Sequence, residues 1–171
     1  MERLFSPWRS QYISTFKNEK PRKGESLFSR ILREKKDSKN LVIVRKNHCF
    51  VMMNLYPYNS GHLMIVPYQQ TSEMSDLSVE EMSEIMETSS QMIEILKKVL
   101  KPQGFNFGAN LGRAAGAGVD DHIHFHIVPR WIGDTNFMPT LSDIKVVSED
   151  MRETFKKIKN EITSKKYKRK Q

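Results

Sequence analysis

Asp121-His-Ile-His-Phe-His-Ile-Val-Pro-Arg130 is the stretch that organises this chain, because three of its five histidines fall within five consecutive positions. Side chains on an extended strand alternate between faces, so His122, His124 and His126 share one face while Ile123, Phe125 and Ile127 take the other. One strand thus carries a core face and a chemical face. Three neighbouring imidazoles repel one another when all are protonated, so at least one is expected to be neutral near pH 7. That is the state a nitrogen nucleophile, a general base or a metal ligand requires.

Immediately upstream lies Asn110-Leu-Gly-Arg-Ala-Ala-Gly-Ala-Gly-Val-Asp-Asp121, rich in small residues, with Gly112, Gly116 and Gly118. Glycines let a backbone approach a ligand closely, and successive amides can form a concave anion-binding nest. The loop leads into a strand. A P-loop or a dinucleotide fingerprint would lead into a helix, and neither pattern is present. A neutral imidazole beside a set of amide donors supplies the two parts that phosphoryl or nucleotidyl transfer needs.

Working outward, the runs Leu41-Val-Ile-Val44, Cys49-Phe-Val-Met-Met53 and His62-Leu-Met-Ile-Val66 read as strands, with Tyr56-Pro-Tyr-Asn-Ser-Gly61 as a hairpin connection. Two more strands are expected near Phe105 to Leu111 and through the histidines. A helix follows from Ser26, with Leu27, Ile31 and the stem of Lys35 at helical spacing. The longest helix has a capping box in Ser78 and Glu81, a hydrophobic staple in Leu77 and Met82, and a stop at Pro102. Its stripe is read as Met82, Ile85, Met86, Ile93 and Leu96, a core surface. A last helix from about Glu149 presents Met151, Phe155, Ile158 and Ile162. The pattern predicts an α+β fold, a central antiparallel sheet of about five strands with helices packed on it. The first two dozen residues show no period and are broken by Pro7, Pro21 and Gly24.

At 171 residues and 38% hydrophobic content, the chain is the size of one domain. Residues 1–164 are read as that domain and residues 165–171 as a basic C-terminal tail. No run of about 18 apolar residues occurs, and Met1-Glu-Arg-Leu-Phe-Ser-Pro-Trp8 lacks the apolar stretch of a secretory signal, so a cytoplasmic protein without a membrane span is expected. The lone Cys49 excludes an intrachain disulfide. Five positive charges of the net +8 sit in the tail, which is read as a solvated terminus and not as a nucleic-acid site. The mild positive balance elsewhere suits an anionic substrate.

With these residues in view, His122-Ile-His-Phe-His-Ile-Val128 resembles the His-φ-His-φ-His-φ-φ signature of the histidine triad (HIT) family of nucleotide hydrolases and transferases, φ being apolar. Phe50-Val-Met-Met-Asn54 and Gly61-His-Leu-Met-Ile-Val-Pro67 are similar to that family's ribose-binding strand and its Gly-His-φ-φ-φ-φ-Pro strand. Ser6-Pro-Trp-Arg9 with Tyr12-Ile13, Asn110-Leu-Gly112 and Pro129-Arg-Trp131 resemble the bacterial branch related to diadenosine tetraphosphate phosphorylase. The resemblance implies that His124 attacks the α-phosphorus to form a nucleotidyl-histidine intermediate. His122 would orient it through a main-chain carbonyl, His126 would donate to phosphate oxygens, and His62 would support the triad. Asn54 would hold the ribose, Asn110 with Gly116, Ala117 and Gly118 would line the phosphate site, and Leu41 and Met53 would sandwich the base. Through Trp131 the resemblance implies a dinucleoside polyphosphate phosphorylase or hydrolase with a substrate such as diadenosine tetraphosphate, inorganic phosphate as co-substrate in the first case and water in the second. The resemblance further implies a homodimer.

Two departures bear on chemistry. Relatives carry Ser, Thr or Gln a few residues before the triad where this chain has Gly118-Val119. Relatives of this branch also carry Cys-φ-Phe-Cys as half of a structural zinc site, where this chain has Ser26-Leu-Phe-Ser29. Serine is a poor zinc ligand, so no metal and no cofactor are expected. Two other readings stand beside the leading one: a nucleoside phosphoramidate hydrolase, and a non-catalytic module in which the imidazoles, with Asp120 or Asp121, bind zinc or sense a nucleotide.

Overall fold

The computed structural model describes residues 22–134 and 150–164. The features noted at Ser6 to Arg9, at Tyr12 and Ile13, and in the basic tail lie outside the described residues.

Five antiparallel strands form one sheet: β1 (Val42–Arg45), β2 (Cys49–Met53), β3 (Leu63–Pro67), β4 (Gly104–Ala109) and β5 (Phe125–Arg130). Their order across the sheet is β1-β2-β3-β5-β4. The helices are α1 (Leu27–Glu34), α2 (Val79–Leu100) and α3 (Met151–Thr163). Every residue of β2 and β3 is buried, which is why these strands read as continuous apolar runs and not as an alternation. Register then fixes the faces. Met52 pairs with Met64, Met64 with His126, and His126 with Gly108, so these residues lie in one row. The next row is Met53, Leu63, Ile127 and Phe107. One face, with Val51, Met53, Leu63, Ile65, Phe125 and Ile127, packs under α2 and α3. On the other, Val42, Phe50, Met52, Met64 and Val66 pack with Phe28 and Ile31 of α1. Among the described residues, that second face is covered by the two turns of α1, and the histidines lie on it.

Helix α2 starts with both capping-box bonds, Ser78 to Glu81 and back, and ends at Lys101 in the left-handed region just before Pro102. Its buried stripe is Ile85, Thr88, Ser89, Met92, Ile95 and Leu96. Met86 is instead half-exposed, because Ile85, Met92 and Leu96 set the phase and the next residue after Ile85 turns away by about 100°. The small polar residues complete the stripe, with the Ser89 hydroxyl bonding to the Ile85 carbonyl. Lys35 also departs from expectation: it is the C-cap of α1 with φ 51°, and the helix buries Phe28 and Ile31 in its place. Helix α3 begins after the Asp150 cap and buries Phe155 and Ile158 as the spacing predicts.

Two backbone features place the site. Leu41 has φ 55° and precedes β1, and the register slips between Val42 and Val44, so β1 starts one residue later than read. Gly61 has φ 73°, and a Cβ there would lie 2.3 Å from Leu100 Cδ1. Only glycine lets this turn press onto α2 and deliver His62 into the sheet. Among the described residues, no helix is long and apolar enough to cross a membrane.

Candidate active site

Phe125 to Arg130 form β5 proper, and the alternation extends upstream because Ile123 N–H donates to the Thr71 carbonyl at 2.7 Å. Ile123, Phe125 and Ile127 enter the core under α2 and α3, while His122, His124 and His126 are buried on the opposite face. His124 Nδ1 lies 2.9 Å from the carbonyl oxygen of His122. A carbonyl only accepts, so Nδ1 carries the proton and the neutral ring keeps its lone pair on Nε2. His122 is fixed by the same logic. Its Nε2 lies 3.0 Å from the Pro67 carbonyl and donates, leaving Nδ1 to accept from the Ser26 hydroxyl at 2.7 Å.

A second chain of bonds settles His126. The amide of Tyr58 donates to His62 Nδ1 at 3.0 Å, so His62 bears its proton on Nε2. That Nε2–H points at His126 Nδ1, 2.9 Å away, which must accept. His126 therefore holds its own proton on Nε2. This nitrogen is buried and, among the described residues, has no hydrogen-bond partner. An unmatched buried donor costs roughly 1–3 kcal/mol, so it is poised for an acceptor from a ligand. The rings of His124 and His126 are 4.9 Å apart between centroids, at 76°. One offers a lone pair and the other a proton donor.

Burial lowers the pKa of His122 and of His124, and burial together with the neighbouring His124 lowers that of His126 to about 4. The sign follows directly. The unfolded chain takes up protons near pH 6.5 while folded His126 does not, so stability is complete above that pH and is lost as pH falls toward 4. We expect chemical denaturation to show about 2 kcal/mol less stability at pH 5 than at pH 7 from His126 alone, and an activity profile that stays flat below pH 6. A midpoint for activity near 6.5 would mean that the imidazoles titrate normally. Cys49 is no rival nucleophile: it is buried in the core under α2, where burial pushes its thiol to about 12.

His124 and His126 open on a cleft walled by Leu27 and Phe28 of α1, by Met52 and Met64 of the sheet, by Asn54, Leu55, Tyr56 and Tyr58, and by the glycine-rich loop at Asn110, Gly116, Gly118 and Val119. Asn54, Asn110, Gly116 and Gly118 are thus brought together as expected. Asn54 is held by the Tyr56 amide, which donates to its Oδ1 at 2.9 Å. Leu41 and Met53 are not there. Both lie in the core on the far face, because the residue after Met52 on the strand must point the other way. The apolar walls are Met52, Leu27 and Phe28, which the sequence reading missed. Ala117 and Trp131 are also absent from the lining; the Trp131 amide bonds to Asp134 just beyond β5. In the glycine-rich loop, Gly116 has φ 89°, the left-handed conformation that turns it back toward Asn110. Arg113 and Asp120 pair across the loop's exposed side.

Residues 35–131, which carry the sheet, the loop and the alternating imidazoles, match the family model for the HIT domain. The chain belongs to the HIT domain family. Its HIT relatives include AP-4-A phosphorylase of Mycobacterium tuberculosis, 38% identical over 90% of this chain and 80% of that protein. Adenosine 5'-monophosphoramidase hnt1 of Schizosaccharomyces pombe is 26% identical over 61% of this chain and 80% of its own. Among solved HIT structures, diadenosine triphosphate hydrolase of Plasmodium falciparum superposes with TM-score 0.61 at 26% identity, covering 74% of this chain and 79% of that one. A zinc-bound histidine triad protein of Mycobacterium smegmatis shares the fold, with TM-score 0.65 at 23% identity over 79% of this chain and 91% of the other.

The residues of this HIT chain do not fit a structural zinc. Ser26 and Ser29 meet His122 and Gln70, giving two hydroxyls and an amide around one imidazole. Among the described residues no group of three or more His, Cys, Asp and Glu is arranged to hold a metal ion. A borderline-soft cation needs thiolates or several imidazoles in place of these neutral oxygens.

Proposed function

We propose that this protein cleaves dinucleoside polyphosphates such as diadenosine tetraphosphate by way of a nucleotidyl-His124 intermediate. The observation that carries this reading is the pairing in one cleft of an imidazole with a bare Nε2 and one with an unpartnered Nε2–H. His124 Nε2 forms a bond to the α-phosphorus as the bond to the bridging oxygen breaks. The departing polyphosphate keeps that electron pair, and His126 Nε2–H hydrogen-bonds the oxygens where charge grows. In the second half, water or phosphate attacks the same phosphorus and His124 leaves as the neutral imidazole. Asn54 holds the ribose, Leu27, Phe28 and Met52 enclose the base, and Asn110 with the backbone of Gly116 and Gly118 faces the phosphates. The name of the mycobacterial relative supports phosphorolysis within this scheme.

The acceptor is tested by product analysis. Diadenosine tetraphosphate in millimolar phosphate is expected to give ADP and ATP, whereas AMP and ATP at every phosphate concentration would make the enzyme a hydrolase. Turnover of adenosine phosphoramidates with no cleavage of any dinucleotide would overturn the substrate assignment. Residues 1–164 are proposed as one catalytic domain in the cytoplasm. We further assign a homodimer formed along β4, an edge strand on which Phe107 is 41% exposed, readable by sedimentation of the full chain.

A further inference from the structure

The N-terminus of α1 is tied to the histidines twice. Phe28 packs its ring against His122 and His124, with centroids 5.4 and 5.0 Å away, and Ser26 reaches His122 Nδ1 at 2.7 Å. The Ser26 oxygen also caps the helix by accepting from Ser29 N–H at 3.1 Å. Behind it, Ser29 Oγ donates to Gln70 Oε1 at 2.8 Å, the Ser26 amide donates to the same oxygen at 3.1 Å, and Gln70 Nε2 donates to the Gly24 carbonyl at 3.0 Å. The Ser26 hydroxyl has two acceptors in reach, Ser29 Oγ at 3.0 Å and His122 Nδ1 at the shorter 2.7 Å. Because Ser29 Oγ is already served by its own proton toward Gln70 while His122 Nδ1 needs a donor, the Ser26 proton goes to His122. Ser26 is 2% exposed and His122 fully buried, so water does not compete for this bond.

We propose that Ser26 is a positioning residue for catalysis, acting through His122. With Nδ1 saturated by Ser26 O–H and Nε2–H committed to the Pro67 carbonyl, His122 can neither rotate nor exchange tautomers without breaking two buried bonds. Its main chain is thereby held where its carbonyl receives the Nδ1 proton of His124. That last bond decides which nitrogen of His124 is nucleophilic.

The proposal rests on the covalent reading of His124, so its test has one arm that needs no turnover. Ser26→Gly removes the hydroxyl but keeps a residue tolerated at helix N-caps, and Ser26→Thr restores hydroxyl and cap together. With diadenosine tetraphosphate and phosphate, Ser26→Gly in the full chain is expected to lower kcat about 10- to 100-fold with KM nearly unchanged, and Ser26→Thr to recover most of it. Nitrogen NMR of the imidazoles is expected to show His122 with protonated Nε2 and an accepting Nδ1. That signature should be lost in Ser26→Gly while His126 stays the same. Elemental analysis of the wild type should find no stoichiometric zinc, with activity unaffected by chelator. An unchanged His122 spectrum in Ser26→Gly, a kcat within twofold of wild type, or one zinc per chain bound through His122 would each overturn the assignment. A wild type that cleaves no dinucleotide yet shows the predicted spectra would sink the substrate reading and leave the Ser26–His122 link standing.

Discussion

His124→Ala should abolish turnover, lowering kcat by about 10⁴-fold or more while nucleotide affinity changes only a few-fold. The asymmetry comes from where the side chain sits. His124 is 5% exposed at the floor of a cleft whose other walls, Leu27, Phe28, Met52 and Asn54, are the ones proposed to hold the nucleoside. Removing the imidazole deletes the bond-forming atom and leaves the binding surface in place. Single-turnover kinetics and equilibrium binding of a non-cleavable dinucleotide on the same preparation separate the two quantities. A variant that kept a tenth of the wild-type rate would show that another group, or water directly, attacks phosphorus.

His126→Ala is expected to cost about 10² to 10³ in kcat, the range found when one preorganised donor to a developing oxyanion is removed. What singles out this residue is its place at the end of a relay. The Tyr58 amide fixes His62, His62 fixes His126, and the last proton is left without a partner among the described residues. The loss should depend on the leaving group: large for a polyphosphate, much smaller for an activated aryl ester of AMP whose departing oxygen needs little stabilisation. His62→Asn should follow the same dependence with a smaller loss, because it frees the tautomer of His126 without removing the ring. Equal losses on both substrates would assign His126 to binding and not to the departing charge.

Period-two alternation made the histidine strand legible, and glycine and capping signals marked the loop and α2 correctly. What escaped the sequence was phase and distance. Met52 and Met53 are chemically the same, and only the pairing of Met52 with Met64 beside His126 shows which of them faces the cleft. The family resemblance assigns Leu41 to the base, yet the left-handed turn before β1 sends it into the core. Met86 read as core because methionine is apolar, while Thr88 and Ser89 hold the buried positions for their small volume. Trp131 is close to β5 in sequence but its backbone bonds turn it away from the lining. The Ser26–His122 contact joins residues 96 apart, and nothing local announces a hydroxyl that meets an imidazole across the sheet. A serine pair at the spacing of two ligands was legible, but its partners Gln70 and His122 were not.

The central claim is that a nucleotide becomes bonded to His124 before the products are complete. Wild-type protein mixed with labelled dinucleotide and quenched within one turnover in alkaline denaturant, where phosphorus–nitrogen bonds survive, can be digested and its peptides weighed. The account predicts one nucleotidyl group on the peptide containing His124, formed and lost at rates compatible with kcat and missing from His124→Ala. Steady turnover with no adduct at any time, or an adduct on a different residue, would contradict it.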